Sequence, residues 1–251
     1  MVDIQIRELS DLDELAAAAE LLRRIWRADS ADQIVNAGMM RAFAHSGNYV
    51  AGAYRGAELI GVGVGFLGAG HLHSHVTGVV SGGQGAGVGY ALKLHQRAWA
   101  LARGIDAICW TFDPLVRRNA YFNLAKLGAR ATAYLPDFYG PMDDGVNARD
   151  ASDRLYVRWE LAAPVGAPEV DHRGAAVLLG RAGGDVPVPA AGSGPRLLIA
   201  VPADVEQMRR VEPGLAARWR IAVREAMTGA LGDGYQIIGV TRDGWYVLIR
   251  P

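Results

Sequence analysis

The sequence predicts a mixed α/β (α+β) protein with an appended C-terminal α/β unit, and three observations carry that expectation. Short apolar runs alternate with polar residues at period two, as in "VDIQIREL", "HLHSHVTGVV" and "DRLYVRWEL", which is the pattern of half-buried strands. Between them lie longer runs with apolar residues three and four apart, the spacing of helices that bury one face. Composition then shifts: residues 162–195 hold Pro164, Pro168, Pro187, Pro189, Pro195 and seven glycines. These divide the chain into a domain over 1–161, a Pro/Gly-rich linker over 162–195, and a C-terminal unit over 196–251 that docks on the first domain or on a partner subunit.

The elements follow in order. "VDIQIREL" reads as an edge strand, and Ser10 or Asp11 can cap a helix over about Leu12–Trp26 with Leu15, Ala18, Ala19, Leu22 and Trp26 on one face. A second helix is expected over about Ala31–Ala44. "NYVAGAYRGAELIGVGVGFLG" gives two strands around "YRGAE", and "HLHSHVTGVV" a third. A helix over about Gly85–Arg103 buries Val88, Ala91, Leu92, His95 and Trp99 and stops at Gly104. Then come the strand "DAICWTF", the helix "LVRRNAYFNLAKLG", the strand "ARATAYLP", a polar loop, and the strand "DRLYVRWEL". In the C-terminal unit "RLLIAV" is a strand, about Ala203–Leu231 is helical with Leu215, Trp219, Val223 and Met227 in register, and "YQIIGVTRDGWYVLIR" is a hairpin.

Bulk composition excludes several function classes. The 26 basic and 26 acidic residues cancel, which argues against non-specific nucleic-acid binding and against attraction to an anionic membrane. Cys109 is the only cysteine, so neither a disulfide framework nor a thiolate metal site is expected, and its apolar setting marks it as core. No apolar stretch reaches the roughly 18 residues of a membrane span, and the N-terminus lacks a signal-peptide pattern, so a cytoplasmic protein is expected.

The most informative stretch is "SGGQGAGVGYAL", with five glycines among residues 82–89 directly before a helix. A phosphate loop needs Gly-Lys, which the chain lacks. The only dinucleotide-type glycine spacing, Gly63, Gly65 and Gly68, falls inside a strand pattern with no helix after it. A strand, glycine turn and helix in this order can instead present unpaired N–H groups and a positive dipole end to a pyrophosphate.

Gln84, Gly85, Ala86, Gly87, Val88 and Gly89 fit the acyl-CoA signature of the GCN5-related N-acetyltransferases (the GNAT superfamily): Arg or Gln, two residues, Gly, one residue, Gly or Ala. The element order from about Val2 to Leu161 resembles that fold as well, and "NAYFNLAKLGA" looks like its second CoA-side helix. "LHSH", "WTFDPL", "RRNAYFN", "FYG" and "SDR" are similar to a bacterial subgroup of acetyltransferases, some of them linked to acylation of amino acids. The resemblance implies acetyl-CoA or another short acyl-CoA as cosubstrate, a small-molecule amine as acceptor, and direct transfer with no covalent enzyme intermediate. It implies that Val79 and Val80 offer backbone groups to the pantetheine, with Asn119 and Asn123 on the CoA side. One departure stands out. Leu124 occupies the position of the family's usual thiolate-protonating tyrosine: either the acid has moved, with Tyr121 one turn away as the candidate, or it is dispensable, because thiolate is a tolerable leaving group.

His71, His73 and His75 share one side of their strand by alternation. They could fill space beneath a helix, ligate a metal, or supply a general base. Strand spacing closes a tetrahedral site poorly, so no metal is expected. In the fold the chain resembles, the strand before the glycine loop lines the acceptor cleft, and imidazole titrates near neutrality, which makes His75, then His73, nearest that loop, the candidate bases. The polar loop follows the sixth strand, a place that faces the acceptor in that fold, so the resemblance makes Tyr139, Asn147 and Arg154 candidates for orienting a substrate carboxylate. The expected function is therefore acyl-CoA-dependent N-acyltransfer. The alternative is a catalytically degenerate acyl-CoA-binding sensor or scaffold, and a homodimer is left open.

Overall fold

The computed structural model of the protein describes residues 4–80, 87–140, 142, 144–146 and 150–251. It forms two compact units, and the division falls inside a strand: residues 1–110, 144–146 and 160–162 make the first, and 111–143, 147–159 and 163–251 the second.

In the first unit, β1 (Ile4–Glu8), β2 (Tyr49–Arg55), β3 (Glu58–Gly68) and β4 (His71–Val79) pair antiparallel in sequence order, and β5 (Ala107–Phe112) joins β4 in parallel. Helix α1 (Leu12–Trp26) begins where the Asp11 carboxylate accepts from the N–H groups of Asp13 and Glu14. It packs Leu15, Ala18 and Leu22 against Val50, Val62, Val64 and Val76 on one face of the sheet. Each of these leucine and valine side chains contributes roughly 1.5–3 kcal/mol by leaving water. The expected helix over 31–44 is two pieces, a 3-10 turn (Ala31–Gln33) and α2 (Ala37–His45). Asn36 restarts the helix by capping the N–H of Met39, a second N-cap inside what reads as one apolar run.

Helix α3 (Val88–Leu101) covers the opposite face, with Val88 and Leu92 against Ala53 and Ile60. Glycines on β3 make that approach possible: a Cβ on Gly65 would lie 3.3 Å from Gln96 Nε2, and one on Gly61 3.1 Å from Leu92. The Gly63, Gly65 and Gly68 spacing lies wholly within β3, as its strand context predicts.

In the second unit, α4 (Arg117–Ala120) runs on as a π-helical turn over Tyr121–Lys126, and β6 (Arg130–Leu135) pairs antiparallel with β7 (Arg154–Glu160). A second sheet has the order β11-β12-β10-β8-β9, from β8 (Ala176–Ala182), β9 (Val186–Pro189), β10 (Arg196–Ala200), β11 (Gln236–Val240) and β12 (Trp245–Ile249). Part of the expected linker is thus a paired hairpin. Its prolines 187 and 189 sit on β9, an edge strand, where a missing N–H is tolerated. The expected helical stretch over about 203–231 consists of α5 (Val205–Val211) and α6 (Pro213–Gly232), because Pro213 cannot continue α5 but suits the first turn of α6. Leu215, Trp219, Val223 and Met227 are all buried.

A buried ionic cluster ties α5 and α6 to the loops before α4 and β7. Arg220 donates to both oxygens of Asp113 at 2.9 Å, Arg209 donates to Asp113 at 2.5 Å, and both arginines reach Asp150. Arg224 grips Asp153, which also accepts from the Tyr134 hydroxyl at 2.6 Å. Residues 196–251 therefore share one compact unit with 111–143 and 147–159, the later part of the expected first domain.

Candidate active site

Gly87 stands at the N-terminus of α3 with φ +83°, in the left-handed region that a side chain disfavours. Unlike α1 and α2, α3 has no side-chain cap and no acidic residue in its first turn. Its leading N–H groups therefore have no side-chain acceptor among the described residues, the arrangement that binds anions. Val88 is buried, and a Cβ on Gly89 would touch only Val79, at 3.7 Å. Gln84, Gly85 and Ala86 lie outside the described residues, as does Asn147.

Strand β4 leads to this helix. Its parallel pairing with β5 covers Leu72 with Ile108 and His73 with Cys109, and no further pair follows. From Ser74 onward the strands part, which leaves backbone groups of β4 on that edge for another partner. The Val80 N–H is committed to the Ile60 carbonyl at 3.1 Å, so it is not available to a pantetheine as expected. Because backbone groups alternate sides along an antiparallel ladder, Val79 turns its own toward the open edge.

A bulge opposite Val64 and Gly65 reorganises β4 at Ser74 and His75. Before it, Ser74 faces α3; after it, Val76 faces α1. His73 stacks on Phe66 at 4.9 Å between centroids, and His75 lies 6.3 Å from His73. Burial lowers the His73 pKa to about 4, with the neighbouring His75, His71 and Lys93 acting in the same direction. Burial also lowers His75, although the residue as a whole keeps exposed surface. His71 turns back to the Ala69 carbonyl and takes no part in the stack of His73 on Phe66. No group of three or more His, Cys, Asp or Glu side chains suited to a metal ion occurs among the described residues.

The second unit holds the remaining candidates. The Tyr121 hydroxyl accepts from Arg242 at 3.4 Å, and Leu124 is buried. Asn119 is exposed on α4 and Asn123 is buried. Arg154 is 7% exposed, bonds to the Asp153 carbonyl and to the Met142 sulfur, and has its guanidinium 5.3 Å from the Tyr139 ring. No carboxylate lies within ion-pair distance of it among the described residues, and burial lowers its pKa. The Tyr139 hydroxyl shares a hydrogen bond with Thr111 at 3.1 Å.

Sequence reasoning missed Lys93 and Gln96, both buried on α3. A lysine in an amphipathic run reads as solvent-facing; the signal that could have found it is its three- and seven-residue spacing to Gln96 and Ala100, which are also buried.

No family model and no curated protein sequence matches the chain. Solved structures do. An acetyltransferase from Salmonella typhimurium, determined with its cofactor acetyl-CoA, superimposes with a TM-score of 0.52 at 17% identity over 67% of this chain and 99% of its own. The ribosomal-protein-S18-alanine N-acetyltransferase from Escherichia coli gives 0.51 at 12% identity, over 67% of this chain and 100% of its own. A GNAT-family protein from Desulfovibrio desulfuricans gives 0.50 at 14%, over 63% and 99%.

Proposed function

For a chain with the GNAT-type acetyltransferase fold, we propose acyl-CoA-dependent N-acyltransfer: an acetyl or other short acyl group passes directly from CoA to a small amine. The observation that carries this reading is the uncapped N-terminus of α3, entered through Gly87 at the end of a strand whose outer edge is open. In this reading Gln84–Gly89 hold the pyrophosphate and the Val79 backbone runs beside the pantetheine. Backbone donors on that edge stabilise the oxyanion that develops at the thioester carbon.

An amine acceptor arrives protonated at neutral pH and must lose a proton before it attacks. His75 suits that task better than His73: the residue is exposed, whereas His73, at about 4, is neutral but weakly basic. Arg154, a buried cation without a carboxylate partner among the described residues, is the group we propose for an acceptor carboxylate, with Tyr139 beside it. The competing reading is an acyl-CoA sensor without turnover. It is favoured by Leu124 in place of a tyrosine and by the engagement of Tyr121 with Arg242. CoA release measured across an amine and amino-acid library separates the two: acceptor-dependent release supports transfer, and acetyl-CoA binding without release supports the sensor.

A further inference from the structure

Where β4 leaves β5, a buried lysine fills the gap. Ser74 and Trp110 are the first positions beyond the last β4–β5 pair, and Lys93 reaches both from α3. Its Nζ donates to Ser74 Oγ at 2.7 Å and to Gln96 Oε1 at 3.4 Å, and lies 3.9 Å from the Trp110 ring centroid. Lys93 is 4% exposed, and no carboxylate lies within ion-pair distance of it among the described residues. Burial brings its pKa down to about 7. Gln96, 1% exposed, keeps an Nε2 with no acceptor among the described residues. A buried ammonium without a counter-ion is costly, and an apolar side chain of similar length would pack at less expense. That cost points to chemistry.

We propose that Lys93, acting through the Ser74 hydroxyl, donates the proton that the departing CoA thiolate takes up. This rests on the acyl-CoA reading above. An arm that begins at the N-terminus of α3 and follows β4 backward from Val79 passes Ser74 after five residues, ~16 Å of strand. The thioester end of the cosubstrate thus comes to the place where Ser74 and Lys93 meet.

The protons balance. The acceptor ammonium gives one proton to His75, and its nitrogen then forms the bond to the acyl carbon. As the carbon–sulfur bond breaks, the thiolate takes the Ser74 hydroxyl proton while Ser74 takes one from Lys93. The second proton of the acylated nitrogen returns through Ser74 to Lys93. One proton per turnover reaches solvent through His75.

The groups around Lys93 support the order of titration. On β4 the nearest titratable side chains are His73 and His75, on α3 His95 turns away to the Tyr49 hydroxyl, and on β5 Cys109 is buried and unbridged. On β3 the facing residue is Gly65, which brings no charge. The base therefore titrates below the donor, and both hold their working forms between the two values, which gives a bell-shaped rate profile.

The chain has only two lysines, Lys93 and Lys126, which makes the test direct. In full-length protein labelled with [ε-13C]lysine, the signal lost in Lys93→Met, one of two lysine signals, is expected to titrate near neutral pH. For CoA release from acetyl-CoA, the wild-type rate is expected to fall above the same pH. Lys93→Met and the milder Ser74→Ala are expected to lose that limb and roughly 10² in turnover while binding acetyl-CoA normally. Lys93→Arg, which keeps the charge but cannot release a proton, is expected to stay slow. A Lys93 signal titrating near 10, a limb that persists in Lys93→Met or Ser74→Ala, or full activity in Lys93→Arg overturns the proposal while leaving acyl-CoA transfer intact. A wild type that fails to bind acetyl-CoA overturns the underlying reading instead.

Discussion

Replacing Asp113 with asparagine removes a single buried charge from the cluster that binds α5 and α6 to the loops before α4 and β7. Asp113 accepts two bonds at 2.9 Å from Arg220 and one at 2.5 Å from Arg209, and both arginine side chains are 3% exposed. Taking away one partner of a buried ion pair typically costs ~3–5 kcal/mol, because the remaining charge is stranded. Asp150 still contacts both guanidinium groups, so the lower end, about 3 kcal/mol, is expected here. At roughly 2–4 °C per kcal/mol for a chain of this size, the melting temperature should fall by about 6–12 °C at pH 7. The pH dependence has a definite sign. Burial alone would raise the Asp113 pKa, but Arg220 and Arg209 overcome it and hold the carboxyl well below its ordinary value. The stability it contributes is full above the unfolded value of ~3.9 and is lost as pH falls through the folded value. Scanning calorimetry at pH 7 and pH 3 should show the gap between wild type and Asp113→Asn narrowing on acidification. A drop under 2 °C at pH 7, or a gap that widens in acid, would refute the reasoning.

Three further outcomes are expected. His75→Ala should lower turnover by roughly 10² and remove the rising limb of the rate profile, which lies below the ordinary histidine value because burial depresses the ring. Equal profiles in wild type and variant would return His75 to a packing role. Arg154→Gln should raise KM for a carboxylate-bearing acceptor at least tenfold, about 1.4 kcal/mol, with acetyl-CoA affinity unchanged; equal KM values would remove Arg154 from acceptor binding. Truncation after Pro195 removes Arg209, Arg220 and Arg224 and leaves Asp113, Asp150 and Asp153 buried without those partners. It should lower melting temperature and solubility, and a monodisperse truncated chain of equal stability would contradict that.

Much of this architecture was legible because local signals agree with the fold. Helix α1 spans Leu12–Trp26 as read, since Asp11 supplies a cap and the apolar period runs unbroken behind it. Legibility failed where one residue changes the periodicity. Asn36 splits the second helix, Pro213 splits the helical stretch after Ala203, and the β4 bulge moves the inward face from Ser74 to Val76, which strict alternation cannot foresee. The hairpin over 176–189 was hidden by prolines that an edge strand accommodates. In the site, the glycine turn and the histidine strand stood out as patterns. Lys93 did not, because a buried lysine is identified by what surrounds it, and its partners Ser74 and Trp110 lie 19 and 17 positions away in sequence.

Calorimetric titration of acetyl-CoA into wild type and Gly87→Glu tests acyl-CoA binding at the α3 N-terminus most directly. Gly87 has φ +83° with open space around a would-be Cβ, so glutamate adds backbone strain and a negative charge at the proposed pyrophosphate site without a steric clash. Saturable binding by the wild type, weakened at least tenfold in a folded Gly87→Glu variant, is the predicted result. Absence of binding by the wild type, or equal affinity in the two proteins, would contradict it.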